Sequence, residues 1–430
     1  MRRPTTEAAV LWLCLAALAH PASGQPPPAS ARMTFKEAVA QAIERNPSVQ
    51  EASKGILRAD ALLHQATSSI LPALNAGVLN TTVNSGRSFN GVTTLPQNQV
   101  TANLNLSALL FAPVQWAQRT QADDNRHVAE FGAADVRRQI AVATAQAYLA
   151  VIARRRVLDA NVRARNVAQA HYELASQLRA AGAGSRLNEL RAQQALSSDE
   201  ALAEETALAV YNAQEALGVL VAADGPVDAA DEPALEVPST LESAEAAMPQ
   251  TRTDLRLADA RTQAAGRVLS DSWKEYLPSV GALVQPQYLQ PETIFQPSLS
   301  WRAEVLVNMP IFDFGFRRAT RAERQALFDE SRLEQAALLR QARSDVRSAA
   351  EAIKSAERAL ASARAAADEA RQVVDIVNIS FRAGASTNIE VIDAQRASRD
   401  ADFAAEVADD QFRQARLALL VALGQFPGQG

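Results

Sequence analysis

Two stretches of this sequence, residues 114–179 and 316–383, contain no proline; the first holds one glycine, Gly132, and the second none. Proline and glycine are the residues that break or loosen a helix, so each stretch can run as a single helix. At 1.5 Å per residue such helices would be ~100 Å long, too long for one globular domain. Ile140, Ala143, Ala147 and Val151 recur at intervals of three and four, as a bundle or coiled-coil seam requires. Aromatic residues make up only 5% of the chain, and alanine supplies much of its apolar content. Close helix packing with little bulk between the helices is therefore expected.

A different period interrupts the helical one. From Val100 to Ala108 apolar and polar residues alternate without a slip. Val100, Ala102, Leu104, Leu106 and Ala108 share one face of a strand; Thr101, Asn103, Asn105 and Ser107 share the other. Residues 299–309 repeat the design, with Trp301, Ala303, Val305 and Val307 opposing Arg302, Glu304 and Asn308, and Leu306 as the exception. Strands of nine to eleven residues with one apolar face suit a tilted crossing of a bilayer. An ordinary sheet with one buried face has the same alternation. The partner strands, 73–84 and 280–289, alternate less cleanly, because of Pro286 and a phase change between Val78 and Leu79. Four strands cannot close a barrel, and open edges in lipid leave backbone groups unpaired. A dimer would supply eight strands and a trimer twelve; the polar faces favour the wider barrel with a wet lumen. The expected lumen residues are Thr101, Asn103, Asn105, Ser107, Arg302 and Glu304.

The chain also repeats itself. Ile70, Leu71 and Pro72 are echoed by Tyr276, Leu277 and Pro278; Leu110 and Phe111 by Ile311 and Phe312; Gly182 by Gly384; Leu217 and Gly218 by Leu423 and Gly424. Each copy reads as a helix ending at its Leu-Pro pair, two strands around a turn-rich loop, a very long helix, a glycine break and a last helix. Residues 25–224 form the first repeat, 225–239 a joint rich in proline and acid, and 240–430 the second repeat.

The N-terminus has the pattern of a secretory signal over residues 1–24: Arg2 and Arg3, an apolar run from Ala8 to Ala19, then small residues up to Gly24. The only cysteine, Cys14, lies inside the apolar run and has the wrong neighbours for lipid attachment, so the exported chain needs no disulfide. No later stretch is apolar enough for a spanning helix. A net charge of −5 with no basic face argues against nucleic-acid binding. His64, His127 and His171 stand in separate stretches without ligand spacing, so neither metal nor cofactor is expected.

With these features the sequence resembles the TolC-type outer-membrane efflux proteins of Gram-negative bacteria. The residues that carry the likeness are Thr34, Phe35, Lys36, Glu37, Ala38 and Val39 followed by Asn46 and Pro47, the two Leu-Pro junctions, and Pro310 to Gly315 leading into a long helix. The strongest match runs from Phe381 through Gly384, Glu390 and Asp393. The resemblance implies a mainly α fold with a membrane β-barrel: a homotrimer with twelve strands in outer-membrane lipid and a coiled-coil tunnel in the periplasm. A belt of short helices around the tunnel's middle would include the joint. It also implies a passive, non-catalytic conduit that docks on a periplasmic adaptor, or membrane fusion protein, and through it on an inner-membrane pump or ABC transporter. Glu390 and Asp393 would ring the periplasmic aperture, next to tip turns containing Gly182, Asn188, Phe381, Gly384 and Ser386. Thr387 and Glu390 also have capping-box spacing, so a helix cap is an equally physical role for Glu390. The family's closing latch uses a tyrosine, an arginine and an aspartate where this chain has Phe381, Ser386 and Asn188, so the same polar links cannot form. A periplasmic coiled-coil adaptor also uses long hairpins, but would need one hairpin and barrel domains in place of two matched units with strands. If the signal reading is right, intact-mass measurement of the exported protein will show a chain that begins at Gln25; retention of residues 1–24 would refute it.

Overall fold

The structure, a computed structural model, describes residues 31–238 and 241–426; the expected signal segment and the end of the joint lie outside these. The first half of the chain comprises β1 (Ala31–Met33), α1 (Phe35–Arg45), α2 (Pro47–Ser68), β2 (Ala73–Thr82), β3 (Arg87–Phe89), β4 (Val92–Leu95), β5 (Asn98–Phe111), α3 (Pro113–Ala180) and α4 (Arg186–Leu220). After β6 (Val227–Ala229) come α5 (Leu241–Thr251), α6 (Thr253–Ser270), a 3-10 turn, β7 (Ser279–Gln290), β8 (Leu299–Asn308), α7 (Phe316–Arg382) and α8 (Asn388–Ala422).

The long helices form as their composition requires. α3 has 68 residues and α7 has 67, each uninterrupted, which makes each about 100 Å long. Pro113 starts α3, where its missing N–H costs nothing. One expectation fails: the helix before each Leu-Pro pair is two helices. Asn46, extended at φ −60° and ψ 130°, caps α2 through Ser48 N–H while Pro47 takes the first helical position. Proline cannot donate back into α1, so the chain must restart there. In the second half the break falls at Arg252, three residues after Pro249. Its guanidinium is buried against Asp254 (2.6 Å) and Asp345 (3.3 Å).

The apolar core sits at mid-length of the long helices. Tyr148, Val151 and Ile152 of α3 pack with Leu217, Val221, Val227 and Ala229. Leu255, Ala342, Val346, Leu419 and Leu423 form a second cluster, and Val39, Ala145, Leu149, Leu417 and Phe426 a third. The joint is stitched into this belt by β6, which pairs in parallel with β1. The Tyr148 hydroxyl lies 2.5 Å from Asp231 Oδ1 and 3.0 Å from Met33 O. Burial, reinforced by the Asp231 carboxylate, pushes that phenol up to about 12.

The second feature is a four-stranded antiparallel sheet in the order β2-β5-β7-β8. Its register collects Asn75, Gly77, Thr101, Asn103, Asn105, Ser107, Gln285, Gln287, Ser300, Arg302 and Glu304 on one face. Leu74, Val78, Leu104, Leu106, Val284, Trp301 and Val305 lie on the other, and Val78 and Trp301 are 77% and 75% exposed. Of the three irregularities in the sequence, the phase change in β2 leaves Leu79 on the polar face opposite Thr101; the other two have local solutions. Leu306 lies on the polar face opposite Gly281. β7 runs straight through Pro286, but its pairing with β5 skips Leu104 and Asn105, because proline has no N–H to give. The outer edges of β2 and β8 pair with no other described strand.

No described helix is long and apolar enough to cross a membrane. The two faces of the sheet make their own prediction. Leu104→Arg or Val305→Arg should cut the yield of detergent-resistant oligomer, at roughly 2–4 kcal/mol per charge near a bilayer midplane. Asn103→Arg or Asn105→Arg should assemble and shift ion selectivity instead. Equal loss at both pairs would mean that the strands are misplaced, and loss at Asn103 and Asn105 alone that the faces are reversed.

Candidate functional site

Two places gather polar residues without an ordinary structural need for all of them: the turns at the far ends of the long helices, and the polar face of the sheet.

The α3–α4 and α7–α8 turns are built alike. Gly182 and Gly384 take φ of +73° and +74°, the left-handed region that favours glycine after a helix. Ala183 N–H bonds to Leu178 O at 2.9 Å and Ala385 N–H to Ser380 O at 2.8 Å, closing both helices in the same way. Ser185 then caps α4 by accepting Asn188 N–H at 3.2 Å, and Thr387 caps α8 by accepting Glu390 N–H at 3.4 Å. Glu390 completes its capping box by accepting Thr387 N–H at 2.8 Å. Glu390 and Asp393 are both exposed in the protomer and, three residues apart, lie on one side of the first turns of α8. Counting from the two glycines, the equivalent residues on α4 are Asn188 and Arg191, so paired acids mark only the second turn.

Behind these turns lies a set of contacts that local sequence reading does not disclose. Glu189 is buried and takes both Arg179 and Arg186 on one carboxylate oxygen. The Arg186 hydrogen bond foremost, with Arg179, holds that carboxyl below the usual glutamate range against the opposing effect of burial. His171, 5% exposed, places Nε2 2.8 Å from Asn388 Oδ1. The Asn388 amide, 3% exposed, donates from Nδ2 to Asn188 O at 3.3 Å. The Phe381 ring meets the imidazole edge-on at 5.5 Å. Ser386, in the turn, reaches back to α7, donating to Val377 O at 3.3 Å. Phe381 and Asn188 thus lie beside one relay, Asn188 through its backbone, and Ser386 does not join it. His171 was legible only indirectly: Ala168, His171 and Ala175 are all buried at spacings of three and four, which puts an imidazole on a packed helix face.

On the sheet, Asn105 Nδ2 donates to Asn103 Oδ1 at 3.2 Å. Gly77, directly across from Asn103, leaves room for that amide; a Cβ there would stand 2.9 Å from Asn103 Oδ1. Arg302 donates to Gln285 Oε1 at 2.5 Å and lies 3.3 Å from Glu304. The two charges therefore offset each other within one strand. Ser107 Oγ reaches Ala73 O only at 3.5 Å, and Thr101 lies opposite Leu79. Among the described residues no group of acidic, histidine or cysteine side chains is placed to hold a metal ion.

No curated protein matches the sequence significantly. Solved structures do match the fold. A membrane protein from Pseudomonas aeruginosa is 20% identical with a TM-score of 0.80, over 94% of this chain and 98% of that one. The Campylobacter jejuni CmeC outer membrane channel is 16% identical with a TM-score of 0.77, over 94% and 90%. The open state of the Neisseria gonorrhoeae MtrE outer membrane channel is 18% identical with a TM-score of 0.77, over 91% and 88%. The family described as "Outer membrane efflux protein" matches in two segments, residues 38–223 and 246–425, one in each half of the internal repeat. Fold, duplication and family match agree, and the chain belongs to the outer membrane efflux protein family.

Proposed function

We propose that three copies of this chain close a twelve-stranded barrel in the outer membrane, with their long helices continuing as a periplasmic tunnel. One observation carries the reading: a sheet with one apolar, exposed face and one polar face ends in unpaired edges at β2 and β8. In hydrocarbon such edges must be paired, and pairing β8 of one copy with β2 of the next satisfies every strand at once. Three copies rather than two leave an interior wide enough for water, which the Asn, Gln, Ser and Arg side chains of the polar face favour. The apolar face then meets outer-membrane lipid. The protein acts as a passive conduit in an efflux or secretion assembly. Its partners are a periplasmic adaptor at the helical tips and, through it, an inner-membrane pump or ABC transporter that supplies the energy.

Glu390 and Asp393 are proposed to line the narrow periplasmic mouth of this conduit. Two carboxylates per chain and three chains bring six acids around one axis, producing a strong negative potential in a constricted space. A capping role for Glu390 is favoured by its bond to Thr387 N–H at 2.8 Å, and the two roles are compatible. Asp393 is not part of that capping box.

Purified protein should run as a detergent-stable trimer and form conducting pores in planar bilayers. A monomer by mass measurement, with no conductance, would refute the assembly. The resting pore should prefer cations and be blocked by multivalent cations added from the tunnel side. Glu390→Gln together with Asp393→Asn should remove the block and much of the preference while leaving the trimer intact. A purely capping role gives a different result: a loss of about 1 kcal/mol in stability from Glu390 and unchanged block.

A further inference from the structure

Several buried polar side chains, such as Thr144, Asp228 and Arg252, serve one helix or one junction near the middle of the molecule. His171 does neither. It sits on α3, within three turns of the tip, and its partner Asn388 is the first residue of α8, in the other hairpin. Because Asn388 donates from Nδ2 to Asn188 O, its Oδ1 is the acceptor that faces the imidazole. Nε2 therefore carries the proton, and the neutral ring is a donor toward α8. The relay runs from α3 to the start of α8 and on to the first turn of α4, so it spans the two hairpins where each reverses direction. Phe381, at the end of α7, closes the ring's edge with an apolar surface.

We infer that the His171–Asn388–Asn188 relay is the fastening nearest the tunnel tip between the two helical hairpins, beyond the Arg399–Asp199 pair (2.6 Å) that joins α8 to α4 further in, and that charging the imidazole releases the tip. The inference rests on the channel reading above and says how that channel's tip is kept together and loosened. A second proton would go to Nδ1. It would not break the bond to Asn388, which Nε2 still donates. Its effect is to place a charge in a 5% exposed site walled by an aromatic ring. Parting the hairpins lets water reach that charge, so the charged ring favours the parted tip.

The charged groups on the adjoining turns do not offset this. On α3, Glu173 accepts from Gln169 at 2.7 Å. Arg179 of α3 and Arg186 of α4 are both committed to Glu189. On α8, Glu390 is engaged by its cap, and Asp393 is exposed. On α7, Asp375 and Arg382 are exposed. Burial is the larger influence on His171 and holds it below the ordinary value of 6.5, against the weaker upward pull of Asn388. The joined tip binds its proton less readily than the parted tip does. Its stability is therefore complete above pH 6.5 and declines as the pH falls from there through the lowered value.

The test uses the full-length protein in two readouts. Spin labels on Leu187→Cys and Ile389→Cys, exposed first-turn positions of α4 and α8, report the distance between the turns. Planar-bilayer conductance reports opening. On moving from pH 8 to pH 5.5 the label distance should lengthen and conductance rise several-fold. His171→Gln can still donate to Asn388 but does not titrate, so it should keep the short distance and low conductance at both values. Asn388→Ala should show the parted distance already at pH 8, with the trimer retained. An unchanged distance in the otherwise wild-type chain, or the same acid response in His171→Gln, would overturn the inference. If no preparation conducts at any pH, the channel reading fails, while the label distances still decide the relay.

Discussion

A strand edge in hydrocarbon leaves backbone N–H and C=O groups with nothing to bond, and each such group costs several kcal/mol. That demand is what the rest of this molecule is arranged around. The sheet has two such edges, β2 and β8, and its apolar face is exposed along its whole width. A single chain cannot meet the demand, so the protomer is an incomplete object by construction. The long helices follow from it: α3 starts two residues after β5 ends, and α7 a short turn after β8. Whatever closure the strands adopt is transmitted directly into the helices that hang from them.

Helices of this length need support away from the sheet, and the protein supplies it at one level. The Tyr148 belt, the β1–β6 pair and the short helices α1 and α5 all gather at mid-length, where the largest buried side chains lie. Elsewhere along α3, α4, α7 and α8 alanine is the commonest buried apolar residue, as at Ala168, Ala175, Ala192 and Ala367, with Leu196, Val391 and Ile392 the larger ones near the tips. Small residues let helices approach closely but bury little area. The tips therefore add specific polar contacts, Glu189 with its two arginines and the His171 relay, to a small apolar contribution.

Much of this architecture was readable in the residue pattern. The proline-free runs became α3 and α7, and the alternation from Val100 to Ala108 became a two-faced strand, because both depend on periods of a few residues. The leading helix breaks into α1 and α2 at Asn46 and Pro47, because a proline can start a helix as well as end one. Pro286 and Leu306 looked like faults in their strands. Each is resolved by a neighbour on another strand, a skipped pair in β5 and a glycine at 281, which no single-strand pattern contains. The local pattern places Gly182, Gly384, Asn188, Glu390 and Asp393 in or beside the two turns, whereas nothing local to His171 marks it as a contact of α8.

The sequence by itself determined what local chemistry controls: which stretches are helix, which strands have two faces, where glycine must reverse the chain, and that the unit occurs twice. Only the tertiary structure decided which distant residues meet. His171 and Asn388 are 217 positions apart, and their encounter depends on the rotational phase of α3 against α8 after many turns of packing. A small change in twist per turn, accumulated over a helix of about 100 Å, would carry the imidazole to another face. The residue pattern specifies the period of such a helix well and its final phase poorly, so the helices could be read from the sequence and the relay between them could not.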